Sequence, residues 1–287
     1  MLLNSPNFTS AWLTLGYWLR SRGQRVKTER WQGTNVKNDP SAETYELLNV
    51  TLQVPLNNQV SLDHWRDDIK PNLPWADSHF EERVCGRPIN PGIEWRNWPW
   101  GKNAAKFLDD NGQFNHNYME RYWPKHAGKL AVPTKDASDY DLVAREVWGE
   151  RSPPKNLGIR HAYGDLNDLV ELLAFEPYTR QAYLPIFFPE DTGIGDGGRK
   201  PCTLGYQFIQ RDYQLHVYYP MRSCDYARHF RDDCYLTVRL LLWVLHECTE
   251  RNPKFWRYVR PGTYTMHMTS LHIFKNDAIQ LWHSEGQ

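Results

Sequence analysis

The chain has 287 residues, and its 34 basic side chains balance its 34 acidic ones. At roughly 150 residues per domain this length allows one large domain or two small ones, and the 40% hydrophobic and 24% charged residues are typical of globular proteins. The zero net charge argues against binding to a nucleic-acid backbone, so we expect no nucleic-acid partner.

Two further features of the composition exclude classes of protein. There is no run of about 18 apolar residues, so we expect no membrane span. The five cysteines are an odd number without CxxC spacing, which indicates neither a disulfide framework nor a zinc site. We therefore expect a cytoplasmic protein without a bound metal.

The first half of the chain predicts helices around one strand. Apolar residues at helical spacing, followed by Gly23, predict a helix over Phe8–Arg22. β-branched residues in partial alternation predict a strand over 45–54. Further helices are predicted over 75–84 and 103–122, with a tryptophan-rich loop over 93–101.

The second half of the chain predicts mostly strands. Prolines and charges accumulate over 124–158, which indicates an insertion or surface excursion within a single domain spanning residues 1–287. An aspartate before apolar residues predicts a capped helix over 165–175. The remaining elements are predicted from aromatic, β-branched and apolar residues: strands over 181–188, 203–210, 213–219 and 264–274, and a buried helix over 234–247.

Cys202 is the strongest candidate for a chemically active side chain. A lone cysteine is usually a small buried hydrophobe. Cys202, however, follows Pro201 after a glycine-rich loop, and the segment MRSCD comes one predicted hairpin later. An arginine beside a thiol lowers the thiol pKa and offers a cation to an anionic substrate. Arg222 and Ser223 are therefore candidates for a phosphate-binding pair beside a nucleophile.

Four motifs, in this order, resemble those of the thymidylate synthase superfamily. They are EPYTRQ ending at Gln181, the Pro-Cys pair at Cys202, Arg-Ser-Cys-Asp beginning at Arg222, and HMTSLH from His267 to His272. The resemblance implies an α/β (α+β) fold with a mixed, largely antiparallel sheet packed with helices. It also implies a homodimer formed through that sheet.

The resemblance assigns catalytic roles residue by residue. Cys202 would add to C6 of a pyrimidine nucleotide and so activate C5. Glu82 would organise water and protons around the base, with Glu81 as the competing candidate. Tyr163 would lie near the C5 proton.

The resemblance also assigns the binding of the nucleotide phosphate and of the base. Arg222 and Ser223 would bind the 5′-phosphate, and Arg180 would be lent to the same phosphate by the neighbouring subunit. Lys37 is a stand-in for a mobile phosphate-binding arginine of the family. Gln207 matches a buried glutamine that follows the nucleophile.

Sugar and folate contacts complete the expected site. His267 would lie near the ribose, and Thr269 replaces a tyrosine that contacts the 3′-hydroxyl, so the preference between ribose and deoxyribose stays open. Asp225 would lie near the pterin of 5,10-methylenetetrahydrofolate, the expected co-substrate.

The expected base of the nucleotide substrate follows from the residue type at position 233. Asp233 lies eleven residues after Arg222, where the family has a base-binding asparagine. A carboxylate offers only acceptors, which match the N4 amine of cytosine. The alternative interpretation is an acidic residue near a helix N-terminus.

The aspartate resembles that of the phage deoxycytidylate hydroxymethylases, which would place the protein in the host cytoplasm if a phage encodes it. We therefore expect dCMP, methylenetetrahydrofolate and water to give 5-hydroxymethyl-dCMP and tetrahydrofolate. The alternatives are a thymidylate synthase or dCMP methylase that forms a methyl product, and a non-catalytic nucleotide- or RNA-binding relative.

Overall fold

In this computed structural model the described part of the chain comprises residues 1–31, 34–56, 61–114, 116–127, 163–193 and 199–284, which form both helices and strands. The strands are β1 (Leu2–Asn4), β2 (Gln24–Lys27), β3 (Arg30–Trp31), β4 (Thr34–Asn35), β5 (Glu43–Pro55), β6 (Tyr183–Pro185), β7 (Gly205–Arg211), β8 (Gln214–Met221), β9 (Cys224–Asp225) and β10 (Arg260–Phe274). The helices are α1 (Phe8–Arg22), α2 (Leu62–Ile69), α3 (Trp75–Arg83), α4 (Gly101–Ala104), α5 (Tyr118–Tyr122), α6 (Pro124–Ala127), α7 (Leu166–Phe175), α8 (Phe230–Arg251), α9 (Pro253–Trp256) and α10 (Lys275–Ser284).

One mixed sheet organises these elements. Its described strands follow the order β1-β5-β10-β8-β7-β6, with β2 also paired to β5 and β9 to β10. Four of the pairings are antiparallel, whereas β1 runs parallel to β5, and β10 runs parallel to β8 and β9. The predicted mixed, largely antiparallel sheet packed with helices is confirmed.

The helices bury one face of the sheet. On β10, Tyr264, Met266 and Met268 are fully buried and belong to the same apolar core as Leu240 and Leu241 of α8. Burying a leucine side chain contributes about 1.5–3 kcal/mol, so this interface holds α8 firmly against the sheet. The start of α8 is thereby fixed relative to the strand ends.

The opposite face, called here the outer face, carries a row of paired residues. Tyr183, Gln207, Tyr218, Thr265 and Gln53 are consecutive lateral partners across five strands. None of them is fully buried, and Tyr183 and Tyr218 remain 42% and 39% exposed.

The alternation along β10 changes phase near Thr269. Met268 and Leu271 are both buried although three residues separate them, whereas side chains of a regular strand alternate with a period of two. Opposite Thr269, Asn49 of β5 has a φ of 53°, in the left-handed region. After this irregularity Leu271 and Ile273 occupy the buried positions of the strand. Ser270 and His272 therefore leave the packed core and are available to the site described below.

The helix predicted over 103–122 is wrong. The chain there forms the end of α4, a 3₁₀ turn over Ala105–Phe107, a bridge between Leu108 and Phe114, and finally α5. The Asp109 carboxylate accepts hydrogen bonds from the backbone N–H groups of Asn111 and Gln113, and Gly112 has a φ of 74°. This Asp-rich turn satisfies its backbone locally and so overrides the helical spacing.

Other element predictions agree with the structure in kind. The predicted helix over 8–22 coincides with α1, and the Asp165 side chain caps α7 by accepting from the Asp168 N–H. Most of the predicted excursion over 124–158, and residues 194–198 of the glycine-rich loop, lie outside the described residues. Within the described ranges, no helix is long and apolar enough to cross a membrane.

Candidate active site

A cavity of about 480 Å³ lies beside the ends of β8 and β9 and the second half of β10. It brings together residues from distant parts of the sequence. The predicted site residues on its wall are Cys202, Arg222, Ser223, Asp225 and Asp233.

The pairing of β7 with β8 explains how Cys202 meets Arg222. Thr203 forms a bridge with Met221, and the Arg222 N–H donates to the Cys202 carbonyl at 2.9 Å. The Arg222 guanidinium donates from Nε to the Pro201 carbonyl at 2.8 Å, and its Nη2 lies 3.8 Å from the Cys202 Sγ. Arg222 therefore both orders the Cys202 segment and places a cation beside the thiol.

Opposing effects act on the thiol. Burial raises the pKa of Cys202, the Arg222 and Arg199 guanidinium groups oppose this, and the Asp233 carboxyl adds to it. Because the thiolate is the nucleophile, any group that adds positive charge near Cys202 increases its reactivity.

Asp233 lies in the first turn of α8 and faces the cavity. Burial raises the pKa of Asp233 to about 7, while the Arg83 guanidinium acts in the opposite direction. Its neighbour Asp232 accepts from the backbone N–H and the side-chain amide of Asn72 at 2.9 and 2.8 Å. Both carboxyls line the cavity, but they differ in their partners, because Asp232 also joins α8 to the segment before α3.

A chain of hydroxyl groups passes behind Cys202. The Tyr118 hydroxyl lies 3.1 Å from the Thr203 Oγ1, which lies 2.9 Å from the Tyr219 hydroxyl. Tyr118 and Tyr219, and not the predicted Tyr163, are therefore the tyrosines that contact the residue after Cys202. The Tyr163 ring packs edge-on against Phe188, with centroids 5.0 Å apart, and does not line the cavity.

Glu82 does not line the cavity but contacts a residue that does. Its carboxylate accepts from the Glu94 N–H at 3.0 Å and lies 3.5 Å from the His79 Nδ1. Burial lowers the pKa of His79 to about 4, so the ring is neutral. A Cβ on residue 92 would lie 2.1 Å from the Glu82 Oε2. The Glu82 carboxylate can therefore keep this position only because residue 92 is glycine.

Glu81 points elsewhere. Its carboxylate pairs with Arg239 at 2.6 Å and is 66% exposed. Of the two predicted candidates, only Glu82 is connected to the cavity, through His79.

Arginines make one part of the cavity wall positive. Arg30 and Arg199 line it together with Arg222. The predicted stand-in Lys37 does not; it is 64% exposed and pairs with Glu29 at 3.1 Å.

The two residues predicted to lie near the ribose, His267 and Thr269, do not line the cavity. His267 lies on the outer face, with Nδ1 2.9 Å from the Thr51 Oγ1, and Thr269 is exposed. Because of the phase change on β10, His272 and Ser270 line the cavity instead. Burial lowers the pKa of His272 to about 4, which leaves a neutral imidazole.

Arg180 and Gln207 are also outside the cavity of their own chain. Gln207 donates from Nε2 to the Arg180 carbonyl at 3.1 Å, on the outer-face side of β7. The Arg180 residue is exposed.

An aromatic wall completes the cavity. Trp75, Trp95 and Trp98 line it, and the Trp75 and His79 rings are stacked 4.8 Å apart. Within the part of the chain described, the indole N–H groups of Trp75 and Trp98 are buried and have no hydrogen-bond partner. Flat rings with unused donors are suited to a planar ligand with acceptor atoms.

Several cavity residues were missed by sequence reasoning. His272 was within a recognised motif, but only the phase change on β10 shows which of its histidines faces inward. Arg30 and Arg83 had no local signal, because long-range packing decides where they lie. The tryptophan-rich segment over 93–101 is predicted as a loop, and the sequence alone does not show that Trp95 and Trp98 form part of the cavity wall.

No protein-family model matches the chain, and the search of curated proteins finds no significant match.

Proposed function

We propose that the protein is a folate-dependent 5-hydroxymethyltransferase that acts on dCMP. The single observation that carries this proposal is the position of Cys202 and Asp233 on one cavity wall, with arginines nearby. A nucleophile, a base-recognition group and cations for a phosphate are the three elements that activation of a pyrimidine nucleotide requires.

Arginine side chains would bind the nucleotide phosphate first. Arg30, Arg199 and Arg222 supply guanidinium donors, which suit phosphate oxygens. Because Arg222 also contacts the Cys202 thiol, phosphate binding and nucleophile activation would share one residue.

Cys202 would then act on the ring. Its thiolate forms a bond to C6, and the C5=C6 electron pair becomes available at C5 to form a bond to an incoming carbon. The Asp233 carboxylate accepts from the cytosine N4 amine and so orients the ring for this attack. Loss of the C5 proton and departure of tetrahydrofolate would leave an exocyclic methylene on C5. Water would add to this methylene, and departure of the Cys202 thiolate from C6 would then restore the aromatic ring.

The co-substrate 5,10-methylenetetrahydrofolate would supply the one-carbon unit, and water would supply the hydroxyl oxygen. The tryptophan wall and the buried Asp225 fit a planar, hydrogen-bonding pterin, since Trp75 and Trp98 hold unused N–H donors. Burial raises the pKa of Asp225 to about 7, so this carboxyl offers an acceptor or a donor near neutral pH.

A homodimer belongs to the same proposal. The outer face exposes Tyr183 and Tyr218, and Arg180 lies on that side of the sheet. A second copy packed on this face would bury both tyrosines and bring its Arg180 towards the phosphate-binding arginines.

Product analysis tests the proposed function. Purified protein is incubated with methylenetetrahydrofolate and separately with dCMP, dUMP or CMP, and each nucleotide is examined by mass spectrometry. A hydroxymethyl product from dCMP supports the proposal, and the CMP arm reports the sugar preference. A methyl product, accompanied by dihydrofolate absorbance, would assign the methyl-forming alternative. Binding without any product would assign the non-catalytic alternative.

A further inference from the structure

Arg83 is a buried cation in the cavity wall. It is the last residue of α3, is only 5% exposed and lines the cavity. Among the described residues, no carboxylate oxygen lies within 4.0 Å of its guanidinium. Burying a charge without a counter-ion is strongly unfavourable. A ligand that brings a hydrogen-bond acceptor to this guanidinium would therefore stabilise it.

The neighbours of Arg83 fix its direction. Its Nε donates to the His79 Nε2 at 3.1 Å, and its guanidinium lies 4.2 Å from the centroid of the Tyr118 ring. His79 is itself held by Glu82 at Nδ1 and by stacking on Trp75. A guanidinium has five N–H donors in a rigid fork. The contact to His79 uses one of them, and the Tyr122 hydroxyl accepts from the same guanidinium. Glu82 and His79 are therefore positioning residues for Arg83.

Arg83 and Asp233 form an incomplete pair across the cavity. Both line it, and the positive charge of Arg83 lowers the pKa of Asp233, although the two groups are too far apart for an ion pair. The Asp233 carboxylate, an acceptor, and the Arg83 guanidinium, a donor, thus both border the cavity without contacting each other. A ligand edge that presents a donor followed by acceptors would fill the space between them.

We propose that Arg83 is the second base-recognition residue, donating to O2 and N3 of cytosine while Asp233 accepts from N4. Cytosine presents a donor, an acceptor and an acceptor along this edge, which matches a carboxylate beside a guanidinium. Uracil would turn its N3–H donor towards the donors of Arg83. The inference rests on the proposed function and narrows its substrate to pyrimidine nucleotides with the cytosine edge.

A binding measurement without folate tests this role separately from turnover. Quenching of tryptophan fluorescence, with Trp75 and Trp98 in the cavity wall, gives the Kd of dCMP and of its 2-thio analogue, in which sulfur is a weaker acceptor at position 2. We expect Arg83→Met to weaken dCMP binding by about tenfold to a hundredfold. We also expect it to abolish the preference of the wild-type protein for dCMP over the 2-thio analogue.

Arg239→Met is the matched control. Arg239 belongs to α8 and packs against α3, the helix that carries Arg83, with its guanidinium 4.3 Å from the Phe80 ring centroid. It pairs with Asp77 and Glu81 and does not line the cavity. This control should lower the Tm and leave both Kd values unchanged. If Arg83→Met does not fold, Arg83→Lys is measured instead, because it keeps the charge, lacks the fork and should also lose the 2-thio discrimination.

The outcomes separate the two proposals. A wild-type protein that binds neither dCMP nor dUMP overturns the proposed function and this inference with it. A wild-type protein that binds and converts dCMP, together with an Arg83 variant whose Kd and 2-thio preference are unchanged, overturns only the role of Arg83.

Discussion

The hydroxyl of Thr203 lies 2.9 Å from the hydroxyl of Tyr219, and Tyr219 in turn lowers the pKa of the Asp233 carboxyl. Thr203 is the residue after Cys202, so Cys202 and the Asp233 carboxyl, the nucleophile and the base-recognition group of the proposed function, are connected through neighbouring side chains. The same Thr203 hydroxyl contacts Tyr118 on its other side.

Replacing Thr203 tests this connection. Thr203→Val keeps the shape but removes one hydrogen-bond partner from the buried Tyr219 hydroxyl and one from the partly buried Tyr118 hydroxyl. We expect this to lower the free energy of unfolding by about 1–3 kcal/mol. Thr203→Ser retains the hydroxyl and should recover most of that loss. Thermal denaturation of both variants measures it, and equal Tm values for Val and Ser would show that the hydroxyl does not matter.

Asp233→Asn should change the base preference. At pH 8 the wild-type carboxylate presents only acceptors, whereas the amide presents one donor and one acceptor, which suits the O4 and N3–H of uracil. We expect kcat/KM for dCMP to fall, that for dUMP to rise, and their ratio to move by at least about tenfold. Release of tritium from C5-labelled dCMP and dUMP measures both substrates. A wild-type preference for dUMP, or a ratio that does not move, would remove Asp233 from base recognition.

The same variant should change how stability depends on pH. Burial raises the pKa of Asp233 to about 7 from its ordinary 3.8, so the folded chain holds this proton more tightly than the unfolded chain. The wild-type protein therefore loses stability as the pH rises from about 4 to about 7. We expect Asp233→Asn to have the higher Tm at pH 8 and to lose this advantage at pH 4.5.

Asp63→Asn is the control for this pH dependence, because the Asp63 carboxylate on α2 is 83% exposed. Its Tm relative to wild type should be nearly the same at both pH values. An Asp233 variant that behaves like the Asp63 variant would mean that the Asp233 carboxyl is well solvated in the cavity.

Mixed subunits test the proposed sharing of Arg180. Cys202→Ser should abolish turnover but keep nucleotide binding within about tenfold, because serine is a far weaker nucleophile while the phosphate contacts remain. Arg180→Ala should impair the site of the partner. Dimers that combine one chain of each kind contain one site with both native residues, so mixing should restore part of the activity. A mixture as inactive as its parents would contradict a shared site.

Local signals were sufficient for some elements. The helix over Phe8–Arg22 was predictable because a capping Asn7, apolar spacing and Gly23 all lie within a few residues of it. The contact between Cys202 and Arg222 was likewise predictable, since a single hairpin connects them. In both cases the residues that allow the prediction lie within the same helix or hairpin as the feature predicted.

Long-range packing explains the predictions that failed. His267 and His272 lie in the same motif, but only the folded strand shows the change in burial near Thr269 and that His272, not His267, lines the cavity. Tyr118 and Arg83 meet only because α5 packs against α3. The neighbouring residues in the sequence predict neither the position of His272 nor the contact between Tyr118 and Arg83.

The phase change on β10 gives one strand two separate tasks. Residues before Thr269 present alternate side chains to the outer face, whereas Ser270 and His272, which follow it, border the cavity. The outer-face side chains of β10 and the ligand-facing ones are thus set by different parts of the strand. A one-residue insertion or deletion at this point would move His272 out of the ligand space, so the length of β10 is more constrained than its composition.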